Sequence, residues 1–258
     1  MYKVLKIKKI LVSQPPPQGD KSPYFDISEK YSVKLDFRPF IKVEPLTAKE
    51  FRTQRISILD YSAVIFIAKQ GIDHFFRLCD EMRITIPETM KYFCISEAVA
   101  VYLQHYIHFR KRKVFYGNNG KITDLVTILN KHAEEKFLFI TPENLNDETV
   151  TALDKSKISY TKAVMYRTVS NYFDPKEEFN YDMLLFFSPF GVQSLLQNFP
   201  GFDQGEIQIG CFGATTAAAV KEAGLRLDLE APSREYPSMT MALDAFLKEY
   251  SKKQKKTA

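Results

Sequence analysis

The chain is short of the residues that build metal centres and disulfide frameworks. Its 258 residues hold three cysteines, Cys79, Cys94 and Cys211, each inside an apolar segment and none at a pairing or ligand spacing. That usage reads as core thiols in a reducing compartment. The four histidines, His74, His105, His108 and His132, form no HExxH or Cys/His set, and no metal is expected. His105 and His108 fall at i, i+3 of an expected helix, with no third ligand beside them. There is no Gly-Lys-Ser/Thr and no third glycine after Gly210 and Gly213, so neither a P-loop nor a dinucleotide turn is present. No G-x-S-x-G elbow and no Ser-His-Asp order is legible. No apolar run approaches the ~20 residues of a membrane span. The N-terminus, MYKVLKIKKI, lacks the apolar block and cleavage site of a secretion signal. A cytoplasmic protein without a membrane contact is the expectation.

What is present is an ordinary globular composition, 45% hydrophobic and 26% charged, long enough for two domains of about 100–150 residues. The net charge of +5 collects in a cluster at 110–113 and in a tail at 248–256, expected to be a solvated, fraying end. Basic residues are not interleaved with aromatics in a stripe, so no nucleic acid is expected. Short apolar runs at 9–13, 63–68, 92–95, 113–116, 137–141, 183–188, 207–212 and 227–230 read as strands, mostly without period-2 alternation. Amphipathic stretches at 72–82, 97–107, 122–129, 147–153, 192–197, 215–223 and 239–250 read as helices. Repeated βαβ units predict an α/β fold of two doubly wound parallel-sheet lobes. Two longer alternating segments, 33–45 and 160–170, are read as strands crossing between the lobes as a two-stranded β-ladder. On that reading residues 1–38 and 170–258 form one lobe, discontinuous in sequence, and 39–169 an inserted second lobe. The cleft between lobes is the default ligand site.

Three loops follow strand ends in the first lobe: Ser13-Gln-Pro, Ser188-Pro-Phe-Gly191 and Gly213-Ala-Thr215-Thr216. Each is read as offering a hydroxyl at or near a helix start, where backbone N–H groups are free. Two readings stand side by side: these hydroxyls meet an anionic ligand, or they only cap their helices. The turn in GCFGATTAAAVKEAG (210–224) lacks the features of a phosphate loop but suits some other polyanion.

Four pieces in order carry a resemblance: AVMYRT at 163–168, DMLLFFSPFGV at 182–192, IGCFGATTAAAVKEAG at 209–224, and APS at 231–233 before the last helix. Together they resemble the uroporphyrinogen-III synthase family, which shows Tyr-x-Thr on a linker strand, a strand ending in a hydroxyl residue, and a Gly-x-x-Thr-Ala turn. The resemblance implies a cofactor-independent lyase of tetrapyrrole biosynthesis, monomeric, with two α/β lobes. Its substrate would be hydroxymethylbilane, a linear tetrapyrrole with eight carboxylates, closed with inversion of the last ring and loss of water. Tyr166 matches the family tyrosine, which implies a hydrogen bond to the leaving hydroxyl. Thr216, with Thr215 beside it, matches the turn threonine; Ser13, Ser188, Gly191, Lys69 and Ser96 are the further substrate-binding candidates. Four stretches depart from the pattern. FIAK (66–69) stands where Phe-Thr-Ser is usual and SEAVA (96–100) where Gly-x-x-Thr-Ala is usual. TPE (141–143) replaces an Arg-Gly pair, and SQP (13–15) replaces Thr-Arg-Pro. A non-catalytic tetrapyrrole- or polyanion-binding relative, or an unrelated two-lobe binder, are the alternatives.

Overall fold

A computed structural model describes residues 6–257 except 20, 146, 175 and 177, with side chains at 147 and 253–257 also outside the description. Its strands are β1 (Lys9–Val12), β2 (Lys34–Phe37), β3 (Ile41–Pro45), β4 (Ala63–Phe66), β5 (Lys91–Cys94), β6 (Val114–Tyr116), β7 (Lys136–Pro142), β8 (Ser159–Ser170), β9 (Met183–Phe186), β10 (Gln208–Phe212) and β11 (Leu229–Ala231). Its α-helices are α1 (Pro23–Tyr31), α2 (Ala48–Arg52), α3 (Lys69–Glu81), α4 (Glu97–Tyr102), α5 (Ile122–Leu129), α6 (Asp147–Asp154), α7 (Pro189–Asn198), α8 (Ala214–Glu222) and α9 (Met239–Thr257).

The chain divides into two compact units, 1–42 with 169–258, and 43–168. It passes between them within β3 and again within β8, which are neighbours in one sheet. The Asn171 N–H donates to the Phe40 carbonyl and the Leu46 N–H to that of Met165, so these two segments run antiparallel.

The discontinuous unit holds a five-stranded sheet in the order β11-β10-β9-β1-β2, with parallel pairs throughout. The continuous unit holds β3-β8-β7-β4-β5-β6, parallel from β8 to β6. Why these sequences form covered strands is visible in their neighbours. Ile10 and Val12 pack with Ile27 of α1 and Leu243 of α9, whereas Leu11, between them, packs with Val192 of α7 and Val220 of α8. In the other sheet, Val64 and Phe66 meet Ile72 and Phe75 of α3, while Ala63 and Ile65 meet Leu125 and Leu129 of α5. Both faces are apolar, which is why alternation is absent from the sequence of these strands. The three thiols lie in these cores, and burial pushes Cys79 and Cys94 up to about 12 and Cys211 to about 11.

Several sequence-based expectations need correction. Residues 33–45 are two strands, not one crossing strand. Pro39 has no N–H to donate to a ladder, and the chain breaks at Arg38–Phe40. β2 instead pairs in parallel with β1 as the edge of the first sheet. β8 pairs along most of its length with β7, so it belongs to the second sheet as much as to any linker. Two helices went unread. α1 is started by Ser22 and Pro23, and α2 by a capping box between Thr47 and Glu50. His105 ends a short 3₁₀ turn and His108 lies in no regular element, so the two do not share a helix face. The basic tail expected to fray continues α9 as far as Thr257, its side chains past Lys252 lying outside the described residues.

Gly210, in the middle of β10, is required by close approach. A Cβ there would stand 2.6 Å from Leu185 Cδ2 and 3.3 Å from Met183 Cε. Gly210→Val should therefore destabilise the discontinuous unit by about 1–3 kcal/mol through overpacking, measured by urea unfolding. An unchanged midpoint would contradict the packing described.

Candidate functional site

In a parallel sheet the side chains are buried, so polar chemistry gathers where strands end and helices begin, above all where strand order reverses. In the discontinuous unit the order reverses between β1 and β9, and β10 lies next to β9. The three loops with Ser13, Ser188 and Thr216 thus leave one carboxyl edge side by side.

Ser13 follows β1 directly, only 9% exposed, and its N–H donates to the Leu185 carbonyl at 3.0 Å. It is not at a helix start, contrary to expectation. The proline-rich stretch 15–17 intervenes, and α1 begins ten residues later behind its own cap, Ser22. Ser188 does cap its helix: Pro189 occupies the first turn of α7, and the Gly191 N–H donates to Ser188 Oγ at 3.2 Å. A Cβ at Gly191 would stand 3.6 Å from that oxygen and 3.8 Å from Ser13 Oγ. Ser13, Ser188 and Gly191 are therefore drawn together.

The start of α8 differs. Its N-cap is Gly213, at φ 94° and ψ 142°, which supplies no capping side chain. Neither Thr215 nor Thr216 caps the helix, so capping does not account for them. The N–H groups of Ala214, Thr215 and Thr216 are the donors that a helix start leaves without an intrahelical partner. No acidic residue lies in that turn to offset the helix dipole. Thr215 is exposed; Thr216 is 1% exposed, and its hydroxyl makes no hydrogen bond with the described residues.

The continuous unit presents a different edge. Tyr166, on β8 at the level where β7 ends (Pro142 pairs with it), is 6% exposed. Its ring stacks on His74 of α3, with centroids 5.0 Å apart and planes at 26°. Burial pushes the phenol up to about 12, keeping it a neutral donor, and the hydroxyl has no partner among the described residues. His74, which sequence reasoning passed over, is held below the usual imidazole range by burial and then by the Arg77 guanidinium. No spacing signal marks it, since its partner lies 92 positions along the chain.

Lys69 opens α3 behind Ala68, which has no hydroxyl to cap with; it is exposed, and its ammonium sits 5.2 Å from the Tyr102 ring centroid. Ser96 occupies the N-cap of α4 but makes no side-chain capping bond, and Glu97 follows it. Lys69 and Ser96 share the carboxyl edge of the adjacent strands β4 and β5. Val99, where a threonine is usual, is 7% exposed and packs in the core.

The arrangement is that of a two-unit α/β protein whose backbone N–H groups and hydroxyls gather at strand ends and helix starts. Among the described residues no three His, Cys, Asp or Glu side chains gather as metal ligands, and no helix is long and apolar enough to cross a membrane. The family model for uroporphyrinogen-III synthase HemD (HEM4) matches residues 26–241. The chain belongs to the uroporphyrinogen-III synthase family. Among solved structures it is similar to the uroporphyrinogen-III synthetase of Helicobacter pylori 26695, at 16% identity over 94% of this chain and 100% of that one, with a TM-score of 0.57. It is also similar to a mutant uroporphyrinogen III synthase of the extremely thermophilic bacterium Thermus thermophilus, at 14% identity over 96% and 99% of the two chains, with a TM-score of 0.49. The Helicobacter likeness supports the fold. A search of curated protein sequences gives no match.

The two hydroxyls should separate in a stability test. Ser188→Ala removes a cap and should cost about 1 kcal/mol. Thr216→Val removes a hydroxyl that makes no hydrogen bond with the described residues and should leave stability about unchanged. Equal losses in urea melts would contradict the assignment. Tyr166 gives a pH signature. The unfolded chain sheds the phenol proton near pH 10 and the folded chain near about 12, so stability falls as pH rises through that window. Tyr166→Phe should fall less steeply there; parallel curves would count against a buried neutral phenol.

Proposed function

We propose that the chain is a uroporphyrinogen-III synthase, closing hydroxymethylbilane with inversion of ring D and loss of water. The observation that carries this reading is the open start of α8, where the Thr216 hydroxyl makes no hydrogen bond with the described residues and is not sealed from solvent, inside a chain of this family. The substrate's eight carboxylates need donors rather than a nucleophile. Free first-turn N–H groups, the positive end of a helix and nearby hydroxyls supply them at no reorganisation cost.

The chemistry asks little covalent work of the protein. The terminal hydroxyl leaves with a proton as water, and the methylene carbon it leaves is attacked by a carbon of the last pyrrole ring of the same chain. The pyrrole ring then inverts through a spiro intermediate before closure. Uncatalysed closure occurs without inversion, so orientation of the flexible chain decides the product. In this reading Thr216, Thr215 and the Ser13/Ser188/Gly191 cluster anchor carboxylate arms. Tyr166, a neutral phenol with an unused proton, donates to the departing hydroxyl, with Lys69 and Ser96 as further contacts. No group in the mechanism calls for a cofactor.

A second reading rests on the continuous unit. Val99 is core where the family pattern has a hydroxyl, and Glu97 stands at the adjacent helix start, where it repels carboxylates. Those features suit a relative that binds a tetrapyrrole without turning it over.

Incubation with freshly made hydroxymethylbilane distinguishes the two. The expected product is the type III isomer, formed faster than spontaneous closure. Tyr166→Phe should lower kcat about tenfold or more with its fold intact, and Thr216→Val should act mainly on KM. Type I isomer alone, at the uncatalysed rate, with the product still bound tightly, would overturn catalysis in favour of the binding reading.

A further inference from the structure

The continuous unit has a concavity at the opposite edge of its sheet from the one that bears Lys69 and Ser96. The segments that line it lead into the starts of β5 and β6 and close on the C-terminal end of α3. It has a volume of about 440 Å³, within the range of small-molecule sites. Its wall is mixed: Phe76 and Tyr106 stack at 4.7 Å and 5° beside Ile84, Met90 and Ile107, and polar groups, Thr85 and His108 among them, make up the rest.

Two features mark it as more than a gap in packing. Tyr92 lines the cavity at 4% exposure, yet its hydroxyl has no hydrogen-bond partner among the described residues. The hydroxyl oxygen is not fully shielded, so it opens to the cavity and can donate to an acceptor that a ligand brings. The charged groups at the mouth are the second feature. Arg110 and Glu88 pair with each other at 3.3 Å. Asp80 and Lys113 also line the cavity, and neither has an ion-pair or side-chain hydrogen-bond partner among the described residues. The mouth thus offers one unspent anion and one unspent cation beside an aromatic and aliphatic wall, with no net excess of either sign.

The geometry points to a binding site for a small zwitterion with an apolar side group, of the amino-acid class. Its ammonium meets Asp80, its carboxylate meets Lys113 and the Tyr92 hydroxyl, and its side group lies against Phe76, Tyr106 and Ile84. A ligand with only one charge leaves either Asp80 or Lys113 unmatched. This site shares no residue with the tetrapyrrole reading and does not depend on it.

The test is calorimetric titration of the full chain with L-phenylalanine and L-leucine, beside 3-phenylpropionate and phenethylamine, which carry one charge each. At least one amino acid should bind saturably, and its single-charge analogues should bind about tenfold more weakly. Asp80→Asn, Lys113→Gln and Tyr92→Phe should each weaken it by a similar factor, the worth of one charge-assisted hydrogen bond. Asp80 is exposed and Lys113 half-buried, so the first two variants keep the fold intact, checked by unchanged thermal melts. Absence of saturable binding by either amino acid at about 10 mM would overturn the proposal. So would binding that none of the three substitutions alters, or an affinity as high for a single-charge analogue.

Discussion

A parallel strand with helices on both faces has no place for a polar side chain along its length. Its own N–H and C=O groups are consumed by the ladder, and its side chains meet apolar neighbours above and below. In this protein that constraint operates twice, in β1, β9 and β10 and again in β4, β5 and β7. Whatever polar chemistry the chain performs must then sit at strand ends and helix starts, where backbone donors are left over. The fold decides where the donors are; the residues at those few positions decide what they can hold.

The two units answer that constraint differently. At the carboxyl edge of the discontinuous unit one helix start is closed by Ser188 and its neighbour is open, because Gly213 adopts a left-handed φ and brings no oxygen with it. An open start is a standing attraction for a carboxylate. In the continuous unit α3 and α4 also start without a side-chain cap, but Glu97 adds negative charge and Val99 is given over to the core. What that unit offers instead is a buried phenol steadied by the His74 ring.

Much of this was legible in the chain itself. Alternating apolar and amphipathic runs disclosed the βα units, and Ser188-Pro and Gly213 stood where strand ends and helix starts required them. The segment 33–45 was misread because its alternation is real. β2 has a half-exposed edge position, and nothing local says that its partner is β1, some 25 residues earlier in the register. α1 buries only Ile27, too little for a helical period to show, although Ser22-Pro23 is a start signal on its own terms. Likewise Thr47 and Glu50 carry the spacing of a capping box. The contact between Tyr166 and His74 was beyond reach, because it depends on how β8 and α3 meet in three dimensions. The open cap of α8 was half visible: the glycine could be read, but its φ could not.

The account turns on whether the first turn of α8 receives a carboxylate of the tetrapyrrole. The most direct measurement is the ¹H–¹⁵N spectrum of the full chain titrated with uroporphyrinogen III, following the amides of Ala214, Thr215 and Thr216. The account predicts saturable downfield shifts of these three amides, larger than those at the capped start of α7 and reduced in Thr216→Val. Product binding that leaves all three unmoved would contradict it.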